Sequence, residues 1–433
     1  MKSFSEKILL DQFNLINTLK VLLYFLPISL ILGSGIVNIN CLLIIGNLFL
    51  IFFFNRLLFK SYQKIFFIFY FFLGIIILNV IFSGNFKLSL ISSLGLIRYF
   101  FLMLAILYCI ENDEKFLLNF SKFLVFILVF VAGDTLYQYI NGSDIFGIKP
   151  TTSHGQRLNG PFRNEYVVGS YLSKFFFISL IFLILARKNH FFLFSYLLFI
   201  LAITLLSKER MASVMLVFIC GIFISFLSKI TFKTKVLYLL IFLIFCISLI
   251  SSNESIKNHL IIRSLDQIGI SNKINLEKKH KKDFQDERVF FDSRWGAHYL
   301  TSFHIFLDNP ILGSGIKTFR EKCNDKKYEN INSKSKKVRC NTHPHNIYLE
   351  IISEGGLLLF LSFVLFNLFI FYKFIFNIYK TNETKNLSLA IFCSFLMLFF
   401  PFQTTGSFFS TWNGIYYWFI YAFIAFEFRR IKN

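Results

Sequence analysis

Acidic side chains are in short supply in this chain: 24 Asp and Glu stand against 45 Lys and Arg, a formal charge of +21 over 433 residues. Cysteine is also sparse, which excludes a disulfide-rich scaffold. Of the seven, Cys41, Cys109, Cys220, Cys246 and Cys393 lie inside apolar runs, leaving Cys323 and Cys340 as the pair sharing a polar segment. No cleavable signal peptide is evident, since the first apolar run is followed closely by a second. No repeat of twenty to fifty residues is visible, which argues against the internally repeated transporters. Neither a Walker A loop nor a dinucleotide fingerprint occurs. The basic excess raises nucleic acid as a partner. Short cytoplasmic loops of membrane proteins collect Lys and Arg, however, and that is the better account, so no nucleic-acid partner is expected. An AT-rich genome accounts for part of the Lys, Ile, Asn and Phe content.

What the chain has in abundance is apolar sequence. It is 55% hydrophobic and 19% aromatic, with a mean hydropathy of +0.62. A soluble domain cannot hide so many long Phe, Ile and Leu runs. Runs near 21–36, 38–54, 65–83, 88–110, 123–140, 166–186, 190–206, 211–227, 234–250, 345–372, 387–402 and 409–426 read as membrane spans. That makes twelve. Eleven is the rival count, because the first two are short and separated only by a turn at "GSGIVNIN". With the N-terminus inside, Arg56, Lys60, Lys64, Arg187, Lys188, Lys229, Lys233, Lys235, Lys373, Lys380, Lys385 and the tail "RRIKN" all fall on the cytoplasmic side. The expected fold is an all-α polytopic membrane protein. Residues 1–250 hold the first nine spans, 251–344 a large periplasmic loop, and 345–433 the last three spans and a short cytoplasmic tail.

The outer segments carry the chemistry. "KPTTSHGQRLNGPFRNEY" offers His154, Arg157, Arg163, Asn164 and Glu165 around a Gly160-Pro161 turn. An ordinary loop explains it; so does a helix mouth facing an anion, since a guanidinium fork pairs well with phosphate. In "LLSKERMAS", Arg210 opens a helix and is the functional candidate, while Lys208 and Glu209 read as solvated or paired with each other. The insert begins with a charge run that suits a solvated surface. Trp295, Tyr299, Phe303 and Phe306 then follow at amphipathic spacing, as for a helix along the membrane surface. "LDNPILGSGIKTF" predicts a helix end at Asp308-Asn309 and tight backbone at Gly313 and Gly315. Arg288 and Arg294 are candidate anion ligands. Cys323 and Cys340, if outside the cytoplasm, are free to form a disulfide, with two reduced thiols as the alternative.

The stretch "NTHPHNIYLEIISEGGLLLFLSFVLF" opens a membrane segment with polar residues. Pro344 suits the first turn of a helix. That places His343, His345 and Asn346 where water, membrane and insert meet, and a neutral imidazole there can take a proton. A capping or interface role is the competing reading. His343, His345 and Glu350 match no tight metal signature, so no metal is expected. Glu354 sits deep enough to need a cap role, an arginine partner or water.

"RLNGPFRN", "SKERMAS", "FDSRWGAHYLTSFHIFLDNPILGSGIKTF" and "HNIYLEIISEGGLLLF", occurring in that order, resemble the O-antigen ligase and O-antigen polymerase superfamily of bacterial envelopes. The resemblance covers roughly residues 150–370, and the first four spans match only in hydrophobicity. In "HNIYLEIISEGG" the glycine follows Glu354 directly, a departure from the family's spacing. The resemblance implies a GT-C-like glycosyltransferase of the bacterial inner membrane with both termini cytoplasmic. It would move a glycan from undecaprenyl pyrophosphate to an acceptor hydroxyl on the periplasmic face, without cofactor. Its partners would be the lipid-linked donor, a lipid A–core or other glycan acceptor, and membrane lipids. By matching position, His345 looks like the essential histidine, and Arg210 and Arg294 like pyrophosphate-site arginines, with Arg157 a further one. Arg163, Asn164, Arg288, His343, Asn346 and Glu354 are candidates for substrate binding. His343, just upstream, is an extra imidazole beside the expected base. The ligase and the polymerase differ in acceptor; the histidine-led motif and its placement favour the ligase, with the polymerase as the alternative, and a ligase acting on protein hydroxyls stays open. The rival of another class is a transporter, for which Arg98 inside the fourth span is the one supporting residue.

Overall fold

A chain in hydrocarbon must satisfy its backbone polar groups internally, and long apolar runs therefore fold as helices. The computed structural model of the protein describes residues 2–54, 60–150, 157–268, 290–291, 293–332, 335–380 and 385–431. Arg56, His154, Arg288 and the charge run before Phe290 lie outside the described residues. The long helices are α1 (Lys2–Leu32), α2 (Ser34–Phe54), α3 (Gln63–Ile81), α4 (Phe86–Asn112), α5 (Phe116–Asn141), α6 (Val168–Leu185), α7 (His190–Leu206), α8 (Arg210–Phe226), α9 (Phe232–Ser252), α10 (Arg294–Asp308), α11 (Ile347–Lys380), α12 (Lys385–Phe399) and α13 (Thr411–Arg430). The protein is an all-α, multi-pass membrane protein.

Among the described residues, eight helices are long and apolar enough to cross a membrane: α1 to α6, α9 and α11. The sequence reading placed a span at four further helices, and these fall short for identifiable reasons. α7 and α8 have 17 residues each and α12 has 15. At the helical rise α12 reaches about 22 Å, against a hydrocarbon core of about 30 Å. α13 is long enough, but Asn413, two tryptophans and three tyrosines dilute its apolar residues and lower its hydropathy.

Short polar side chains set where helices begin. Asn85, Asn189, Thr231, Ser293 and Ser410 each accept a hydrogen bond from a backbone N–H in the first turn they precede. Gly142 ends α5 in a left-handed conformation. Successive helices run in opposite directions, which segregates the connections. At one end, Lys20 meets Asp113 at 2.6 Å, Arg429 meets Glu111 at 2.7 Å, and Arg430 meets Glu427 at 2.7 Å. The turns at 82–85, 207–209 and 400–410 and the described parts of the segments after α5 and α9 gather at the other end. Contacts join them: Asn253 Nδ2 donates to Tyr139 Oη at 2.8 Å, Lys208 Nζ to Ser255 Oγ at 2.7 Å, and Thr405 N to the His345 carbonyl at 2.8 Å.

Inside this bundle α6 is the most enclosed of the eight candidate spans and α9 the least. Aromatic rings fill the seams: Phe69 stacks on Phe100 at 3.8 Å, and Phe194 on Tyr238 at 4.5 Å. In α10 the buried face is Ala297, His298, Thr301, Ser302 and Ile305, and Ser302 Oγ donates to the Leu349 carbonyl of α11 at 2.8 Å. The aromatic stripe lies on the other faces, with Phe303 exposed.

α10 ends at Asp308, and the loop after it docks onto a break in α11. The break is Gly356, with φ 68° and ψ −175°. There the Leu357 N–H donates to the Pro310 carbonyl at 2.8 Å instead of continuing the helical ladder. Gly313 (φ +76°) faces it: a Cβ on Gly356 would sit 2.4 Å from the Gly313 nitrogen, and one on Gly313 would sit 2.3 Å from the Glu354 carbonyl oxygen. Both positions exclude a side chain by space and by backbone conformation. Asn79 of α3 completes the joint, its amide donating to the Leu312 and Glu354 carbonyls and its oxygen accepting from Ile316 N.

Cys323 and Cys340, seventeen positions apart in sequence, are joined in a disulfide, with Cα atoms 5.2 Å apart. Closing a loop of this size contributes about 3 kcal/mol in the chain-entropy picture. The five remaining cysteines are free and buried. Denatured protein is therefore expected to show five reactive thiols without reductant and seven with it. Seven under both conditions would mean that the bridge is not formed.

Candidate functional site

The site grows from the entry of α11. Asn346 caps that helix, its Oδ1 accepting from Tyr348 N at 3.0 Å and Leu349 N at 3.1 Å. Its amide donates to the Pro401 and Gln403 carbonyls at 2.8 and 3.2 Å, tying the helix entry to the 400–410 turn. The helix thus starts at Ile347, and Pro344 precedes it instead of occupying its first turn. The physical reason is that Asn346 offers a cap with its own side chain, two residues further on.

His345 sits in the left-handed region, φ 61°, between that cap and the loop. A non-glycine residue held there costs on the order of 1 kcal/mol, and such residues gather at functional sites. Its conformation is fixed from three sides: Thr405 N on its carbonyl, Trp295 edge-on at 5.1 Å, and the Asn341 amide at 2.8 Å from Nε2. Asn341 Oδ1 accepts from Thr342 N at 2.7 Å, which turns its NH2 toward the imidazole. Nε2 of His345 is therefore an acceptor and Nδ1 carries the proton. His343 lies 4.3 Å away ring to ring, with Nε2 on the Thr405 carbonyl at 3.2 Å and Nδ1 on Thr342 Oγ1 at 2.9 Å. A third imidazole, His298 of α10, is 5.4 Å from His345.

Burial, then repulsion from His343, His298 and Arg294, pushes the His345 imidazole down to about 3. Burial likewise lowers His343 to about 4, with His298 and Arg320 adding repulsion. Both rings are neutral at neutral pH and can accept a proton. The unfolded chain takes these protons near pH 6.5 while the folded chain does not, so stability is full above that pH and falls as pH drops toward about 4. A His343→Asn variant should therefore lose less melting temperature than wild type between pH 7 and pH 5; an equal loss would show that His343 takes its proton in the fold as readily as in the unfolded chain.

Arg294 opens α10 and is exposed. It belongs with the three imidazoles. Arg157 and Arg210 belong to a second cluster, around the 207–209 turn. Glu209 is buried and caps α6, accepting from Gly169 N at 2.7 Å and Ser170 N at 3.0 Å, and it pairs with Arg157 at 3.8 Å. Burial raises its carboxyl to about 7 even though Arg157 and the two N–H donors oppose the rise. Glu209 is thus neither solvated nor paired with Lys208, because the N-terminus of α6 sits directly beneath it; Lys208 instead reaches Ser255. Burial first, and then Arg210, Arg263, Arg157 and Lys208, hold His259 at about 4. That dependence marks a concentration of cations fit for a multiply charged anion. Arg163 and Asn164 stand exposed in the adjacent loop, Arg163 at φ 56° with its carbonyl accepting from the Asn159 amide.

Glu354 is completely buried, and its oxygens accept from Lys317 N at 2.6 Å and Phe319 N at 3.0 Å. Glu350, also buried, accepts from Phe408 N at 2.7 Å and from Ser407 Oγ. The two carboxylates fasten the loops on either side of α11.

Two polar residues, His298 and Lys174, escaped the sequence reading, and Arg98 was read only as a charge inside the fourth span. His298 was absorbed into an amphipathic pattern. Lys174 of α6 donates to Asn413 Oδ1 at 2.7 Å and lies 4.6 Å from the Tyr416 ring centre. Arg98 of α4 donates to Tyr99 Oη at 2.7 Å and Thr411 Oγ1 at 3.0 Å. Both cations reach the first turn of α13. A lone Lys inside an apolar run is a usable signal, since charge in a span needs a partner or a cavity. Among the described residues no group of three or more His, Cys, Asp or Glu side chains is arranged to hold a metal ion.

A neutral imidazole beside a guanidinium can accept a hydroxyl proton while the cation steadies the anion that forms. No curated protein matches the chain. Residues 193–364 match the family described as O-antigen ligase, a stretch that begins in α7, ends in α11, and contains Arg210, Arg294, His343 and His345. The match covers 172 of the 433 residues, and over that stretch the chain is similar to the O-antigen ligase family.

Proposed function

We propose that the protein is an O-antigen ligase, transferring a glycan from undecaprenyl pyrophosphate to a hydroxyl of the lipid A–core on the periplasmic face of the bacterial inner membrane. The observation that carries this reading is the gathering of His345, His343 and Arg294 at the mouth of α11, at the loop-bearing end of the bundle. The opposite end carries Lys20, Lys60, Lys64, Lys188, Lys229, Arg429 and Arg430, which by the positive-inside rule faces the cytoplasm together with both termini. On this topology α7, α8, α12 and α13 also cross, giving twelve spans in a GT-C-like arrangement.

The chemistry is one inverting displacement. The acceptor hydroxyl takes the place of the Asn341 amide at His345 Nε2 and gives up its proton there. Its oxygen attacks the anomeric carbon, and the bond to the pyrophosphate oxygen breaks with its electron pair. Arg210 and Arg294 stabilise the leaving diphosphate. Arg157, Arg163 and Asn164 extend the anion site, and His343 lines the acceptor side; Arg288, outside the described residues, stays a candidate from the sequence alone. Asn346 and Glu354 act by positioning the loops that carry these groups. The polyprenyl tail lies among the helices.

Lipopolysaccharide from a strain lacking the gene tests the assignment. Long glycan accumulating on undecaprenyl pyrophosphate, with bare lipid A–core, is the expected result. Lipopolysaccharide carrying single repeat units would instead make the protein an O-antigen polymerase, and unchanged lipopolysaccharide would reject both.

A further inference from the structure

The imidazoles at the α11 entry are not equivalent. His298 is 1% exposed. Its Nδ1 lies 3.2 Å from the Arg339 carbonyl, an oxygen that can only accept, so in the neutral ring Nδ1 carries the proton and Nε2 the bare lone pair. That Nε2 is buried and has no hydrogen-bond partner among the described residues. An orphaned buried acceptor is rare and calls for a cause. Its ring lies 5.4 Å from that of His345, whose Nε2 is engaged by Asn341 and whose Nδ1 carries a proton. A donor with its proton and an acceptor with its lone pair thus sit on adjacent rings, one from α10 and one from the α11 entry.

We propose that His298 is a positioning residue that acts through His345 as the second member of a proton relay. When the acceptor hydroxyl gives its proton to His345 Nε2, the two rings close from their 5.4 Å separation and the His345 Nδ1 proton passes to His298 Nε2. The net change is one proton moved from the hydroxyl to His298, which becomes an imidazolium with Nδ1–H on the Arg339 carbonyl. His345 ends neutral with its proton on Nε2, and the leaving diphosphate takes the electron pair of the broken bond. The groups that face His298 are the charged Arg294 on its own helix and the titratable, neutral imidazoles His343 and His345. Because Arg294 and burial both disfavour a charged His298, the relay opens only as negative charge develops on the diphosphate. His298 thus differs from the carboxylate of a catalytic triad, which orients its histidine and stays ionised: here the third group takes the proton itself.

This inference rests on His345 being the base, and the experiment separates the two. Single-turnover glycan transfer is measured with the full-length protein in liposomes, in mixtures of H2O and D2O. The relay predicts a curved dependence of rate on deuterium fraction in the wild type, from two protons in flight. His298→Asn keeps the donor to Arg339 but removes the lone pair. It should lower kcat by about 10- to 100-fold, leave KM for the donor unchanged, and give a linear dependence. A linear dependence in the wild type overturns the relay without recourse to any variant, as does His298→Asn or His298→Gln at full kcat. Activity in His345→Gln would remove the base reading itself, whereas an inactive His345→Gln with a linear wild-type dependence removes the relay alone.

Discussion

His345→Gln abolishes glycan transfer while the protein folds and reaches the membrane: this is the expected outcome of replacing the one imidazole whose basic nitrogen faces a displaceable amide. Glutamine keeps the bulk and a polar end but cannot take a proton, so the loss should reach at least about 10²-fold. His345→Ala should be as inactive and also less stable, because it removes the ring packed on Trp295 and His343. Transfer from purified undecaprenyl-pyrophosphate-linked glycan, measured beside a melting curve for each variant, gives the comparison. A folded His345→Gln protein with wild-type activity would exclude the imidazole as base. Arg294→Lys is expected to fall well below wild type too, because an ammonium cannot reproduce the guanidinium's paired bonds to phosphate oxygens.

The second large effect concerns the fold beneath the site. Gly356→Ala should destabilise the protein by about 2–5 kcal/mol, combining a left-handed backbone with a Cβ driven into backbone atoms. The contacts at 2.4 Å are to the Gly313 nitrogen and the Ile311 carbonyl oxygen, which cannot rotate away. The loop 310–319 would leave α11, taking with it the Glu354 bonds to Lys317 N and Phe319 N. Accumulation in membranes and melting temperature in detergent should both fall. A variant that melts with the wild type would mean that the break in α11 carries no load.

Much of this was legible in the residues, and the reason is periodicity. Apolar runs announced each long helix, and "DNPILGSG" announced a helix end and two tight glycines, which the structure places at Asp308, Gly313 and Gly315. What stayed hidden was long-range pairing. Asn79 lies 233 positions before Leu312, and its polarity inside the run "ILNVIF" was the single hint that α3 serves the insert. Glu209 looked like a turn residue because its partners, Gly169 N and Ser170 N, are backbone groups forty positions away. His298 and His345 belong to separate motifs, and only the docking of α10 on α11 brings their rings together. Helix length was hidden for a different reason: hydropathy marks a run as apolar without fixing how much of it is helical, and α7, α8 and α12 come out shorter than the eight candidate spans.

The central claim is that a bond is made at the loop-bearing end of this bundle, with the diphosphate carrier as leaving group. Purified protein in liposomes, supplied with lipid-linked glycan and lipid A–core acceptor, tests it by counting products. The account predicts one free undecaprenyl pyrophosphate released for each acceptor glycosylated, and neither product from His345→Gln. Donor that crosses to the other leaflet with its glycan still attached, and no acceptor modified, would contradict it and make the protein a transporter.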